Sequence, residues 1–426
     1  MTRRTFALVA AAKVAAVKWA RGADVPERPL FRQDHVPLLE RAYREWRNLP
    51  QNDKRSWKRQ ADLHSKACGE LNVHETWLFL PWHRAFLSYH ERTLRTFLPE
   101  SDRAAFRLPV WNWEANANVP GAYRAPFGGP LWPQNPLSAQ GQFHRREIVD
   151  DPAVLADGLT DWLTSADWGT FHGSASVHSP HPHAACGAHK AVHERIGGIF
   201  GSFAGAAEEP LFFLHHANVD RYWDHWKTLH HGEQFNPPQN WLDEELKCLI
   251  DENGDEVTGR KVSEFVDSSE LGYRNVPVTV PSVVRPVVRF DAHFAGGRVQ
   301  VPDRALDQAL AGGSEPGLES SRSRDGSYYL SLSGTVVGNF EAGRRYRLGA
   351  VIDNGRPVRL GTFSQLSKSH HDGGTGIIVR IPRAVAERLT HGNSRSFALV
   401  YRPGRVFGRW EPVQQANLRF LVAASR

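Results

Sequence analysis

The stretch LHSKACGELNVHETWLFLPWHRAFL (Leu63 to Leu87) holds His64, His74 and His83 together with Cys68, among tryptophans, leucines and a proline. Read alone it is ambiguous, because a single histidine in an aromatic helix is ordinarily a hydrogen-bonded core residue. A second group changes that reading. AHKAVHERIGG carries His189 and His193, four residues apart and so on one face of a helix. EEPLFFLHHANVDRYWDHW then brings His215 or His216 from a following helix. Helices that each present inward histidines are the way metal sites are built into bundles. An all-imidazole donor set suits copper, zinc, nickel or iron and not calcium or magnesium, which want oxygen. The residues by themselves therefore indicate a paired trihistidine metal site, open to hydroxide chemistry at zinc or oxygen chemistry at copper. His90, His225, His230, His231, His370 and His371 fall outside both groups and read as ordinary histidines.

Outward from this centre, the chain is helical from about Val36 to Trp226. Aromatic-rich amphipathic segments such as HVPLLERAYREWRNLP and PLFFLHHANVDRYWDHWKTL alternate with Pro/Gly-rich loops, and the 110s to 180s read mostly as loop. Beyond Arg285 the pattern switches to alternating β-branched segments: VVRFDAHF, YYLSLSGTVV, YRLGAVID, GIIVRIP, FALVYRP and LRFLVAA. The expected fold is a mainly α metal domain built around a four-helix bundle, followed by an all-β, sandwich-like C-terminal domain. The expected boundaries are 1–24 for a leader, 25–274 for the metal domain, 275–286 for a Pro/Val-rich linker and 287–426 for the β domain.

Composition removes several function classes. The 52 basic and 46 acidic residues are interleaved with no block of five like charges, which argues against a nucleic-acid partner. Three cysteines, Cys68, Cys186 and Cys248, cannot form a disulfide framework and match no zinc-ribbon spacing. The N-terminus, MTRRTFALVAAAKVAAVKWARGADVPERP, places Arg3 and Arg4 before an alanine-rich run and resembles a twin-arginine export signal. Export to the periplasm or outside the cell is the expectation; the alternative is a basic amphipathic leader on a cytoplasmic protein. No other window approaches the ~18 to 20 apolar residues of a membrane span.

HETWLFLPWHRAFLSYHE (His74 to Glu91) resembles the first copper-binding signature of the tyrosinases and polyphenol oxidases, and EPLFFLHHANVD (Glu209 to Asp220) is similar to the second. The plant-type enzymes fit best, because LPQNDKRSWKRQADLH, NWLDEELKCLIDENGDEV, SSELGYRN and VVRFDAHF resemble their flanking regions. The resemblance implies a type-3 centre of two copper ions, with His64, His74 and His83 on the first and His189, His193 and His216 on the second. His216 is preferred over His215 because the family's ligand stands four residues before the aspartate, here Asp220. His215 would then be a pocket residue, and Asp220 would orient an imidazole. Cys68 stands where plant-type enzymes bond a cysteine to the second ligand, here His74, as a thioether. Phe203 stands where the family places an aromatic gate over the second copper. Three positions depart from the pattern: Ala185 replaces a water-holding glutamate, Lys190 replaces an asparagine beside the fourth ligand, and Glu209 replaces an aspartate. His181 or His183 is a candidate to hold the water instead.

The implied activity is oxidation of o-diphenols to o-quinones with O2, with ortho-hydroxylation of monophenols put in doubt by Ala185 and Lys190. An o-aminophenol oxidase, a hemocyanin-like oxygen carrier and a dinuclear zinc hydrolase remain as rivals. The β domain is expected to cover the pocket until an activating protease cuts near Val276 to Pro286, or else to be a permanent module.

Overall fold

The computed structural model describes residues 25–116, 118–123, 167–175, 187–202, 204–230, 236–278, 287–295, 298–300, 327–333, 346–352, 355–363, 377–381, 385, 396–403, 409–413 and 417–423. The leader, Ala185, Cys186, His181, His183 and Phe203 lie outside the described residues.

Helix α1 (Val36–Arg47) buries Leu39, Ala42, Tyr43 and Trp46, an apolar stripe at helical spacing, with Pro37 in the first turn where a missing N–H costs nothing. Helix α2 (Trp57–Glu70) begins on Ser56, whose hydroxyl accepts the Arg59 amide. Its inward face carries Gln60, Ala61, His64, Ala67 and Cys68. Helices α3 (Phe79–Thr96) and α5 (Pro210–Leu229) are buried on nearly every side and pack on one another, as central helices of a bundle must. Helix α4 (Gly187–Ile196) packs on α5 and completes the four-helix core of α2, α3, α4 and α5.

At one end of the bundle, distant segments are tied by charge. Strand β1 (Glu27–Arg28) pairs in parallel with β2 (Arg274–Asn275). This delivers the buried Arg28 guanidinium onto the Tyr273 ring, 3.5 Å from its centroid, and against Glu91 and Asp220 at 3.3 and 3.1 Å. Arg84 of α3 binds Asp220 through Nε and Asp224 through Nη2 at 2.7 Å, and Lys227 donates to Asp224 at 2.7 Å. Burial would lift the Asp224 carboxyl, but Arg84 and Lys227 outweigh it and hold that group below the usual carboxylate range. The segment expected to start a linker remains on the bundle as far as described: Arg221 donates to the carbonyls of Val276 (2.9 Å) and Pro277 (2.7 Å).

Strands β3 (Val287–Ala295), β4 (Arg298–Gln300), β5 (Ser327–Ser333), β6 (Tyr346–Ile352), β7 (Val358–Phe363), β8 (Ile377–Ile381), β9 (Ser396–Pro403), β10 (Glu411–Pro412) and β11 (Asn417–Ala423) follow. Among the described residues they run in the order β7-β6-β9-β4-β3-β11-β5-β8, with β10 on β9. Strand β3 turns a corner: Val287 to Ala292 pair with β11, and His293 to Ala295 pair with β4. One strand thereby serves two sheet halves, the device by which sandwiches close. The outer strands β7 and β8 approach each other and also lie alongside α4. In β6, Tyr346, Leu348, Ala350 and Ile352 are buried at period two. Its register shifts at Gly349, where a Cβ would fall 2.9 Å from the Trp410 ring. No described helix is long and apolar enough to cross a membrane.

Candidate metal centre

The bundle brings the six predicted ligand histidines together. His64 comes from α2, His74 from the α2–α3 connection, His83 from α3, His189 and His193 from α4, and His216 from α5; all six are buried. Within the first group the ring centroids of His64 and His74 lie 5.5 Å apart, those of His64 and His83 5.7 Å, and those of His74 and His83 4.7 Å. In the second, His189 lies 4.6 Å from His193 and 4.8 Å from His216, and Nε2 of His193 is 3.4 Å from Nε2 of His216. The two groups face each other: His83 stacks on His216 at 4.3 Å, and His74 stands 5.5 Å from His189.

Backbone carbonyls set two of the rings. Nδ1 of His83 donates to the Phe79 carbonyl (2.7 Å), and Nδ1 of His193 to the Phe200 carbonyl (2.6 Å), so in each ring Nε2 is the nitrogen left to bind a metal. Burial lowers the pKa of His189 and His216 well below the ordinary value and that of His193 to about 4. Imidazoles held neutral in this way are in the form that binds metal.

Two details sharpen the expected arrangement. The potential ligand atoms of His189, His193, His215 and His216 all lie within 4.8 Å of one another, so His215 stands inside the second group and not behind it. Its ring is fully buried and stacks on His189 at 5.2 Å. In the first group the closest set is His64, Cys68 and His74, with His83 standing toward the second group. The Cys68 sulfur is 3.4 Å from Nε2 of His64, and burial pushes its thiol pKa up, so the sulfur is held as a neutral thiol.

Asp220 does something other than orient an imidazole. Its carboxylate accepts from Arg28, Arg84, the Tyr273 hydroxyl (2.8 Å) and Asn275 (2.9 Å), all in the charged network at the end of the bundle. A carboxylate with these two guanidiniums beside it satisfies them first, since a buried charge left unpaired is expensive. Lys190 follows His189 on α4 and is half-buried. Glu209 is buried at the start of α5, and burial raises its pKa to about 8 despite the nearby Arg47. Two aromatic residues that the sequence did not single out line the centre. Phe79 lies 5.0 Å from His83 and 4.7 Å from His189, and Phe212 lies 4.7 Å from His64 and 4.1 Å from His216. Phe79 is five residues after His74, a spacing that could have flagged it.

Two facing groups of buried imidazoles inside an aromatic bundle, with no carboxylate among the closest-set donors described, define a binuclear site whose donors fit two copper ions. Comparison with known proteins agrees. The family model described as the common central domain of tyrosinase matches residues 54–152 and 123–229, so this part of the chain is similar to a tyrosinase central domain. The chain is similar to plant polyphenol oxidases: it is 29% identical over 308 residues to the chloroplastic polyphenol oxidase of Vitis vinifera, covering 61% of this chain and 49% of that one. It is 28% identical over 293 residues to the chloroplastic catechol oxidase B of Solanum tuberosum, covering 58% and 48%. The chain spans about half the length of these curated relatives. The fold is that of the latent apple tyrosinase (TM-score 0.52, 20% identity, 93% of this chain and 97% of that one). It is likewise that of a functional unit of octopus hemocyanin (0.50, 15%, 93% and 99%).

Proposed function

We propose that the protein oxidises o-diphenols to o-quinones with O2, with His64, His74 and His83 holding one copper and His189, His193 and His216 the other. The observation that carries the reading is the face-to-face approach of the two groups, with His83 stacked 4.3 Å from His216. Bound there, a copper pair supplies two-electron exchange between O2 and the diphenol. The chain supplies the rest. The Phe79 and Phe200 carbonyls fix two imidazoles in orientation, and the apolar walls formed by Phe79 and Phe212 keep water away from the reacting atoms. A thioether from Cys68 to His74 would fix a third ring; both residues already belong to one close group. His215 lines the second group and is proposed to receive a phenolic proton, with Phe203 as the gate over the second copper and Lys190 as a contact for an acidic substrate.

The β unit is proposed to shield the centre, supported by the approach of β7 and β8 to the helix that carries His189 and His193. An activating cut would then fall beyond Val278, because Val276 and Pro277 are held by Arg221. Export is proposed on the twin arginine of the leader. The decisive experiment measures copper content and steady-state oxidation of dopamine, tyramine and an o-aminophenol by the full chain before and after limited proteolysis. About two coppers per chain with rapid dopamine turnover support the reading, on the ligand count above. Reversible O2 uptake without turnover would point instead to an oxygen carrier of the hemocyanin kind, and zinc in place of copper would end the proposal.

A further inference from the structure

Beneath the histidine centre lies a buried hydrogen-bonded chain that the proposed oxidation does not use. Gln60 Oε1 is 2.7 Å from Nδ1 of His90, so that nitrogen carries the proton, and Nε2 of His90 accepts from the Tyr43 hydroxyl at 3.0 Å. All three side chains are buried. Burial raises the Tyr43 pKa far above its ordinary value and lowers that of His90 well below, so at rest the proton belongs to Tyr43. Removing an electron from a phenol turns its hydroxyl into a strong acid. A neutral imidazole nitrogen at 3.0 Å is then in place to take the proton, within ordinary reach for such transfer.

The surroundings suit the same role. On the inner side His90 stacks on Phe213 (3.3 Å between centroids), Phe213 touches Phe212 (5.1 Å), and Phe212 touches His64 (4.7 Å) and His216 (4.1 Å), a continuous file of rings into the metal centre. On the outer side Tyr43 meets Trp57 edge-on (5.4 Å) and Trp46 lies 4.9 Å from His90. Trp57 is half-buried, which gives the file an end near solvent. The Arg47 guanidinium lies 4.6 Å over the Trp57 ring, where its charge disfavours a positive hole on that indole and leaves Tyr43 as the resting place.

We propose that Tyr43, paired with His90, is a redox-active tyrosine that drains an oxidising equivalent stranded at the histidine centre when hydrogen peroxide reaches it without a phenolic substrate. One electron passes from Tyr43 to the centre, and the phenolic proton moves to Nε2 of His90, whose Nδ1–H stays on Gln60; two such one-electron passages, with Tyr43 re-reduced between them and two protons taken from solvent, convert each hydrogen peroxide to two waters. An external reductant of the phenol or ascorbate class returns an electron by way of Trp57, and the proton goes back to the Tyr43 oxygen. The inference rests on the copper reading, so copper content is measured separately on every sample; failure to bind copper is thereby distinguished from failure of the relay.

The copper-loaded full chain is mixed with hydrogen peroxide and no phenol, freeze-quenched and examined by electron paramagnetic resonance. A second arm oxidises the same protein with photogenerated ruthenium(III) tris-bipyridine. A tyrosyl radical is expected in both arms, lost in Tyr43→Phe, and in His90→Phe formed about 100-fold more slowly or worse, the scale of a positioned proton acceptor. A signal unchanged by Tyr43→Phe overturns the proposal. So does a Tyr43 radical seen only under light, which would mean that the pair is cut off from the centre.

Discussion

Replacing Asp220 by Asn separates a structural role from a metal-positioning one. The Asp220 carboxylate accepts from Arg28 Nη1 at 3.1 Å, Arg84 Nε, Tyr273 Oη at 2.8 Å and Asn275 Nδ2 at 2.9 Å. The amide keeps the shape and loses the charge. Arg28 retains Glu91 at 3.3 Å and Arg84 retains Asp224 at 2.7 Å, so neither guanidinium is wholly abandoned, but each gives up a buried partner. Breaking a buried ion pair from one side costs about 3–5 kcal/mol. For a unit of some 250 residues each kcal/mol shifts Tm by roughly 2–4 °C, so Tm should fall by about 6–20 °C. Calorimetry should be done on copper-free protein, because bound metal adds stabilisation of its own. Copper affinity, measured by chelator competition at a temperature where both forms are folded, should stay at the wild-type value. If Asp220 instead orients an imidazole, affinity falls roughly 10- to 100-fold. That loss, with Tm unmoved, would refute the assignment of Asp220 to the charged network.

Three further outcomes are expected. His216→Ala removes a proposed ligand whose Nε2 lies 3.4 Å from that of His193, and copper content measured by metal analysis should drop to about one per chain. Cys68→Ser tests the thioether: the wild-type peptide containing Cys68 and His74 should weigh less by two hydrogens in mass spectrometry, the variant should not, and an unmodified wild-type peptide would exclude the bond. Glu209→Gln tests a buried carboxyl whose folded pKa, about 8, exceeds its ordinary 4.5. Such a group contributes stability that is full below pH 4.5 and is lost as pH rises through 8. Each tenfold difference in proton affinity between the folded and unfolded chain is worth about 1.4 kcal/mol, so thermal scans should show the wild type losing a few kcal/mol across this window relative to the variant. Parallel profiles would mean that Glu209 is ionised throughout.

The histidine centre is legible in the sequence because its spacing is local. His189 and His193 share a helical face by their separation alone, and the two groups sit in segments whose helical period is plain. Spacing does not rank His215 against His216, because a helix steps by about 100° per residue and both rings reach the same group. Only the resemblance chooses between them. Strands β3, β5, β6, β8, β9 and β11 follow from alternation, whereas β4 (3 residues) and β10 (2 residues) are too short to show a period. Asp220 is misread for a different reason: its partners Arg28 and Asn275 stand 192 and 55 positions away and arrive through the β1–β2 pairing, which no local pattern announces. The same holds for His90. The sequence reads it as an ordinary histidine, and its pairing with Tyr43 and Gln60, 47 and 30 positions away, exists only once α1, α2 and α3 are packed. Residues that bind a metal must be close in space and are often close in sequence, because a short helical segment can present several of them at once. Residues that carry buried charge or a redox equivalent need only a partner, and the fold can bring that partner from anywhere in the chain.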